Sequence, residues 1–418
     1  MGEREPLRVA VVGAGIVGVC VAEWLRRDGH EVLLIDRVEP GSREQTSFGN
    51  AGMLARCAVV PVPVPGLWAK VPGMLLSKDS PLSLRWSQLP RMAPWLLRYL
   101  SKGREAEVRR IAEGLGHLLL DSPDQHRRIA EGTPAQRFIK DCEYLYLYKD
   151  RAAYEADAFG WGLRAEFGLK TRPVERAELE SIAPGLAPGQ DFAMALLDHG
   201  TITDPGAYLT ALARHFTDQG GRFLKAEVEA IEPEADAIAI KAGGEQLRVE
   251  RVVLAAGIWS KRLAERLGHK TAMESERGYH VMLEDPSMKP RSPIMVASGK
   301  FAMTPMDEGL RLAGLVEYGG LGAAPAQAPV EFLKRRVRKL FPELTWKAEQ
   351  VWEGHRPTTV DSLPLLGPSP REDRVLFAFG AQHIGLTSGP KTGRIVADMI
   401  AGRRVNFDLA PYRVGRFD

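Results

Sequence analysis

Gly13, Gly15 and Gly18 fall in the spacing G-x-G-x-x-G directly after the apolar run 7–12. In a strand, turn and helix unit the first glycine permits the tight turn and the second lets backbone approach a pyrophosphate. The third allows the helix to pack on the strand. Amides at the start of that helix then form an anion site. Asp36 closes a second apolar run about 20 residues further on, where a carboxylate accepts hydrogen bonds from a ribose hydroxyl pair and repels a 2′-phosphate. The plain alternative for Asp36 is a strand-end cap. The unit reads as a dinucleotide site that disfavours NADP, and alone it does not separate FAD from NAD.

The elements around it continue the pattern. Residues 16–27 carry helical apolar spacing, Gly29 and His30 make a turn, and residues 32–35 form a buried strand. Residues 204–217 read as a helix after an Asp-Pro start, residues 222–228 as a strand, and residues 231–249 as a small meander. Residues 252–256 return the chain to the parallel sheet and end at Gly257, with Trp259 beyond. Residues 375–379 form another buried strand, followed by a glycine-punctuated loop at 380–389 and a helix over 391–400. The N-terminus of that helix points its positive dipole end above the sheet. Reduction of a flavin places negative charge near N1 and O2, which helix amides stabilise; a nicotinamide has no such need.

Residues 9–37, 45–52, 252–260, 352–367 and 379–394 together resemble the D-amino acid oxidase superfamily of flavoproteins, closest to its D-amino acid dehydrogenase branch. Ile35-Asp36-Arg37 with Thr46-Ser47-Phe48-Gly49-Asn50-Ala51-Gly52 carries the resemblance to that branch. It implies an α/β fold: a Rossmann-type FAD-binding domain, with an inserted α+β substrate domain whose mixed sheet roofs the flavin. The expected division is 1–55, 196–274 and 346–418 for FAD, and 56–195 with 275–345 for substrate. Expected FAD contacts are Gly13, Ala14, Gly15, Ile16, Val17, Gly18, Asp36, Arg37, Ser47, Asn50, Ala51, Gly52, Val228, Ala256, Gly257, Trp259, Gly385, Leu386 and Thr387. Some relatives hold the flavin covalently through a histidine near position 48. Phe48 and Gly49 stand there, so FAD is expected bound but unlinked, and Cys57 reads as a structural thiol.

Oxidising an amine by flavin needs a neutral nitrogen, a carbon-bound hydrogen aimed at N5 and a clamp for the carboxylate; position and electrostatics do most of the rest. In Gly354-His355-Arg356-Pro357, Arg356 matches the family segment whose arginine clamps the acid group. A salt-bridge arginine is the alternative. His383, before the last helix, is placed to take the ammonium proton or bond a substrate hydroxyl, or else is structural. Of Tyr279 and His280, neighbours on a strand, only one can face the site, and the resemblance favours Tyr279. Tyr144, Tyr146 and Tyr148 repeat with period two and read as sheet packing.

The expected reaction is FAD-dependent oxidative deamination of a D-amino or imino acid. Hydride passes to flavin N5, and electrons go on to a quinone or another carrier. The loop at Gln382-His383 departs from the Gly-His-Gly form of D-alanine-type relatives, which brings in D-proline or a hydroxy-D-proline. A glycine or sarcosine-type oxidase using dioxygen, or a flavin-binding subunit of a larger complex, are the rival readings.

The 418 residues suit two domains, and an excess of three basic over acidic side chains suggests no nucleic-acid partner. Cys20, Cys57 and Cys142 form no CxxC, so no disulfide framework or metal site is expected and a cytoplasmic setting is. Metallohydrolase, serine esterase and NTPase motifs are missing. Residues 59–100 hold Trp68, Trp86 and Trp95 among prolines with Lys70, Arg85, Arg91 and Arg98. They read as a folded cover over the active site, or as a patch for peripheral contact with the inner face of a membrane. The basic run 334–339 has amphipathic helical spacing and reads as a solvated face.

Overall fold

The computed structural model describes residues 5–76 and 82–418. Its first sheet has six strands in the order Leu365–Pro368, Val375–Phe379, Arg251–Leu254, Arg8–Val12, Glu31–Asp36 and Arg222–Lys225. All neighbours run parallel except the first two. A parallel sheet buried on both faces calls for continuous apolar strands, and Val9 to Val12 and Val375 to Phe379 are buried throughout. Helix Ile16–Arg27 packs on one face, against the last helix, Gly385–Ile400. Strands Val228–Pro233, Ile238–Ala242 and Glu245–Val249 make the small meander.

The last helix starts at Gly385, six residues before the position read from sequence. Its glycines are packing sites rather than breaks. A Cβ on Gly393 would lie 2.6 Å from the Cys20 backbone, and one on Gly389 would lie 3.1 Å from Ile16. Close helix contact therefore decides a boundary that glycine count alone misplaces.

The second sheet has ten strands. From Ala348–Thr359 it runs through Met273–Glu284, Gly309–Tyr318, Phe301–Pro305, Ile294–Val296, Ile139–Tyr148 and Phe192–Ile202 to Met53–Leu54. Leu82–Leu84 and Thr171–Glu175 pair alongside. One face carries Leu145, Leu147, Val281, Leu283, Leu310 and Leu312, sealed by Phe332, Leu333 and Val337 of helix Ala328–Leu340. The alternate residues face the other way, toward the 44–54 loop. Strand Ala348–Thr359 was assigned from sequence to the FAD-binding segments, but it is hydrogen-bonded along its length to Met273–Glu284. Its side chains thus belong to the second sheet.

The 59–100 insert forms helices Leu67–Leu76 and Leu89–Ser101 and covers the end of strand Gly309–Tyr318. Trp95 is buried, stacks on Tyr99 and donates from Nε1 to the Ala272 carbonyl at 2.9 Å. Trp68, Trp86 and Leu97 are 70%, 60% and 70% exposed, so the insert also carries exposed apolar side chains. Its residues 77–81 and the Lys70 side chain lie outside the described residues. No helix among the described residues is long and apolar enough to cross a membrane.

Candidate active site

A cavity of about 650 Å³ lies at the carboxyl ends of the parallel strands, where open α/β sheets bind ligands. Gly13, Gly15, Ile16, Val17, Asp36, Arg37, Ser47, Asn50, Val228, Ala256, Gly257, Trp259, Gly385 and Leu386 all line it. Ala14, Gly18, Ala51, Gly52 and Thr387 do not, and four of them have visible supporting roles. The Ala14 amide donates to Asp36 Oδ2 at 2.6 Å. A Cβ on Gly18 would lie 1.7 Å from the Gly13 carbonyl oxygen, so only glycine lets helix and strand meet. A Cβ on Gly52 would lie 2.5 Å from the Ile202 carbonyl oxygen, and Thr387 Oγ1 donates to the Met53 carbonyl at 3.1 Å.

The wall fits an FAD-shaped ligand on its own chemistry. Gly13 has φ +107°, and a Cβ there would lie 2.6 Å from Ala255, so the turn demands glycine. Asp36 is held by Ala14, by Gln45 Nε2 at 3.2 Å and by the Val38 amide at 3.2 Å, which fixes its carboxylate at the strand end. The Ile16 amide is taken by Ser47 Oγ at 3.0 Å. The amides of Ala14 and Ile16 thus serve the protein, and Gly15 and Val17 line the cavity. The Arg37 guanidinium stacks 4.2 Å over the Trp259 ring. Helix Gly385–Ile400 opens on the cavity with no side-chain cap and no acid in its first turn, leaving its amides for an anionic group. Its Leu386 carbonyl is held from behind by buried His126 Nε2 at 2.9 Å. Cys57 is buried away from this cavity with Sγ 3.9 Å from the Tyr146 hydroxyl, in a tyrosine cluster with Trp161.

The second sheet brings another group together. Arg356 Nη1 donates to Glu276 Oε1 at 2.8 Å and to the Leu315 carbonyl at 3.2 Å. Glu276, 3% exposed, also accepts from Thr358 Oγ1 at 3.2 Å and from the Tyr318 hydroxyl at 3.4 Å. The guanidinium lies across Gly278, whose missing side chain makes room for it. Sequence reading passed over Glu276 and Gly278; a glycine inside a strand was the available signal for a close approach. His383 is exposed yet near enough to feel both charges. Burial among protein atoms pushes its imidazole pKa below the ordinary value, Glu276 opposes that and Arg356 adds to it.

Tyr279 does not join them. By strand alternation it lies on the same side as Val281 and Leu283, its hydroxyl donates to Glu317, and it accepts from the Ala326 amide at 2.9 Å. His280, on the opposite face, stacks on Trp352 and lies 3.1 Å by Nδ1 from the Gly49 carbonyl oxygen. Neither residue lines the cavity, and neither do Arg356 and His383, whose neighbours Pro357 and Gln382 do. Strand alternation made the two exclusive, and the position of helix Ala328–Leu340 chose which one turns away.

A family model described as FAD dependent oxidoreductase matches residues 8–399. The D-amino-acid oxidase of Bradyrhizobium diazoefficiens is 37% identical over 99% of this chain and 99% of its own length. The D-amino acid dehydrogenase of Granulibacter bethesdensis is 28% identical over 98% of this chain and 100% of its own length. Among solved structures, glycine oxidase from Geobacillus kaustophilus has a TM-score of 0.72 at 23% identity, over 98% of this chain and 99% of its own. L-proline dehydrogenase from P. horikoshii has 0.70 at 20%, over 99% and 98%. At these identities the two structures establish the shared fold.

Proposed function

The chain belongs to the family of FAD-dependent oxidoreductases, and from that premise we propose that it oxidises a D-amino or imino acid at the carbon bearing nitrogen. The arrangement of Arg356 carries this reading. Among the described residues it donates only through Nη1, so its Nη2 and Nε edge is left to take a carboxylate through two parallel bonds. His383, exposed to solvent and held toward its neutral form, accepts the ammonium proton and frees the nitrogen lone pair. Bound FAD supplies the hydride acceptor. Asp36, Gly15, Val17 and the start of helix Gly385–Ile400 hold it without a covalent link. The D-configuration draws on the relatives named for D-amino acids. A cyclic substrate, D-proline or a hydroxy-D-proline, is the first to test because the Gln382-His383 loop departs from the Gly-His-Gly form of D-alanine-type relatives.

Electrons then pass to a quinone or another carrier in a cytoplasmic enzyme, with Trp68, Trp86 and Leu97 as a surface for peripheral membrane contact. A second reading, dioxygen as acceptor, is favoured by the relative named an oxidase. An anaerobic screen of flavin bleaching against D- and L-amino acids, proline isomers and N-methyl amines tests the reaction. Bleaching by D-amino or imino acids supports it; none with any amine sinks it and favours a flavin-binding subunit. Peroxide formed in air at one per turnover moves the acceptor to dioxygen.

A further inference from the structure

Arg311, on strand Gly309–Tyr318, is a buried cation without a carboxylate. It is 3% exposed, and among the described residues it forms no ion pair; Asp204 and Glu308 act on it only from a distance. What it meets instead is backbone. Its Nη1 donates to the Asn50 carbonyl at 2.6 Å and to the Phe48 carbonyl at 3.1 Å, and the guanidinium carbon lies 5.9 Å over the Phe48 ring. Between those two carbonyls, that of Gly49 lies 3.1 Å from His280 Nδ1. Three successive carbonyls are thus drawn toward the second sheet. The Trp352 ring closes the turn, since a Cβ on Gly49 would lie 2.0 Å from it. A charge taken out of water is costly unless its donors are met, and here carbonyl dipoles supply the negative potential that a carboxylate would otherwise give.

The turn so held is part of the cavity wall. Ser47 and Asn50 line it, and Ser47 Oγ takes the Ile16 amide at the start of the first helix, whereas Arg311 and His280 stand behind. We propose that Arg311 is a positioning residue for FAD, whose charge draws the Phe48 and Asn50 carbonyls back into the second sheet so that Ser47 and Asn50 face the cofactor. Without that hold the carbonyls are free to turn toward the cavity, where the negative ends of their dipoles oppose an anionic ligand. Nη1 alone makes both bonds, so the turn requires one cationic nitrogen at that point rather than the planar fork. Burial lowers the Arg311 pKa to about 10, which leaves the cation intact at neutral pH. The inference rests on FAD dependence and not on which amino acid is oxidised.

The test is the FAD affinity of the full chain, titrated by flavin fluorescence with no amino acid present, together with the visible circular dichroism of the bound flavin. Arg311→Met keeps much of the bulk but removes the charge. It is expected to hold FAD about tenfold more weakly, the effect of losing a charge-assisted bond, with a changed flavin dichroic band and an unchanged far-ultraviolet spectrum. Arg311→Lys sets an ammonium in place of Nη1 and stays within about threefold of wild type. Arg311→Ala leaves room for methylguanidinium, which restores FAD affinity where sodium chloride at the same concentration does not. If Arg311→Met fails to fold, Arg311→Ala prepared with methylguanidinium and moved into buffer without it carries the test: FAD must leave before the far-ultraviolet signal changes. Loss of both together overturns the proposal. So does an Arg311→Met protein that binds FAD within about threefold of wild type. Equal loss in Arg311→Lys and Arg311→Met, or no recovery of Arg311→Ala with methylguanidinium, also overturns it, since packing and not charge would then hold the turn.

Discussion

The guanidinium of Arg356 rests on Gly278: a Cβ added there would lie 2.4 Å from Nη2 and 2.6 Å from Cζ. The two residues sit on adjacent strands, with Arg356 opposite Glu276 and Gly278 opposite Gly354. Gly278→Ala must push the guanidinium off its seat. The expected outcome is a rise of about tenfold in KM for acid-bearing substrates, from loss of one aligned charge-assisted bond, with flavin content unchanged. Steady-state kinetics beside the flavin absorbance ratio check this, and an unchanged KM removes Arg356 from substrate binding.

Arg356→Leu has a second consequence. Glu276 would keep Thr358 and Tyr318 but lose its cation while 3% exposed. Stripping one partner from a buried pair costs about 3–5 kcal/mol. Arg356→Leu should therefore be much less stable in urea than Arg356→Leu combined with Glu276→Gln. Both should lose acid substrates, so stability and binding separate in one pair of variants.

For Asp36→Asn, the shape stays but one oxygen becomes a donor facing the Ala14 amide, now 2.6 Å from Oδ2. Weakening of FAD binding by about 10- to 100-fold is expected from loss of charge-assisted bonds to ribose and turn together. Fluorescence of released flavin on dilution measures it. Retention like wild type would leave Asp36 a strand cap.

Acid should loosen the protein through its buried histidines. Burial depresses the His126 pKa from 6.5 to about 4, and the ring is fully enclosed between the Tyr208 hydroxyl and the Leu386 carbonyl. Above pH 6.5 neither folded nor unfolded chain protonates this site, so its stabilising geometry is intact. As pH falls from 6.5 toward 4 the unfolded chain takes the proton first and stability drops, by on the order of 3 kcal/mol for this residue. Burial depresses His199 to about 4 as well, which adds to the slope. Urea midpoints measured at pH 7.5, 6 and 5 should fall in that order, and less steeply in His126→Gln. A flat profile across that window contradicts the assignment.

The outer face of the insert gives a binding prediction. The protein should co-sediment with vesicles containing anionic lipid, and the triple change Trp68→Ser, Trp86→Ser and Leu97→Ser should abolish this while dye reduction by substrate persists. Equal sedimentation of both proteins would leave the insert a cover only.

Much of the cofactor cavity could be read from sequence because its determinants are local. Gly13, Gly15, Gly18 and Asp36 act within one strand, helix and strand unit, so turn sterics and strand length set their geometry without help from distant chain. The period-two tyrosines of strand Ile139–Tyr148 and the helix Pro205–Asp218, capped by Asp204 through the Ala207 amide at 2.9 Å, were legible for the same reason.

What tertiary structure decided are relationships between residues far apart in sequence. Glu276 and Arg356 meet across strands 80 positions apart, and His126 supports Leu386 from 260 positions away. Which face of strand Met273–Glu284 looks toward the 44–54 loop depends on where helix Ala328–Leu340 docks; alternation alone offers Tyr279 and His280 equally. The start of the last helix depends on how closely it meets helix Ile16–Arg27. Sequence by itself determined a dinucleotide-binding unit. Packing determined which arginine edge is free and which tyrosine is turned away, because burial and partner choice exist only once distant segments share a surface.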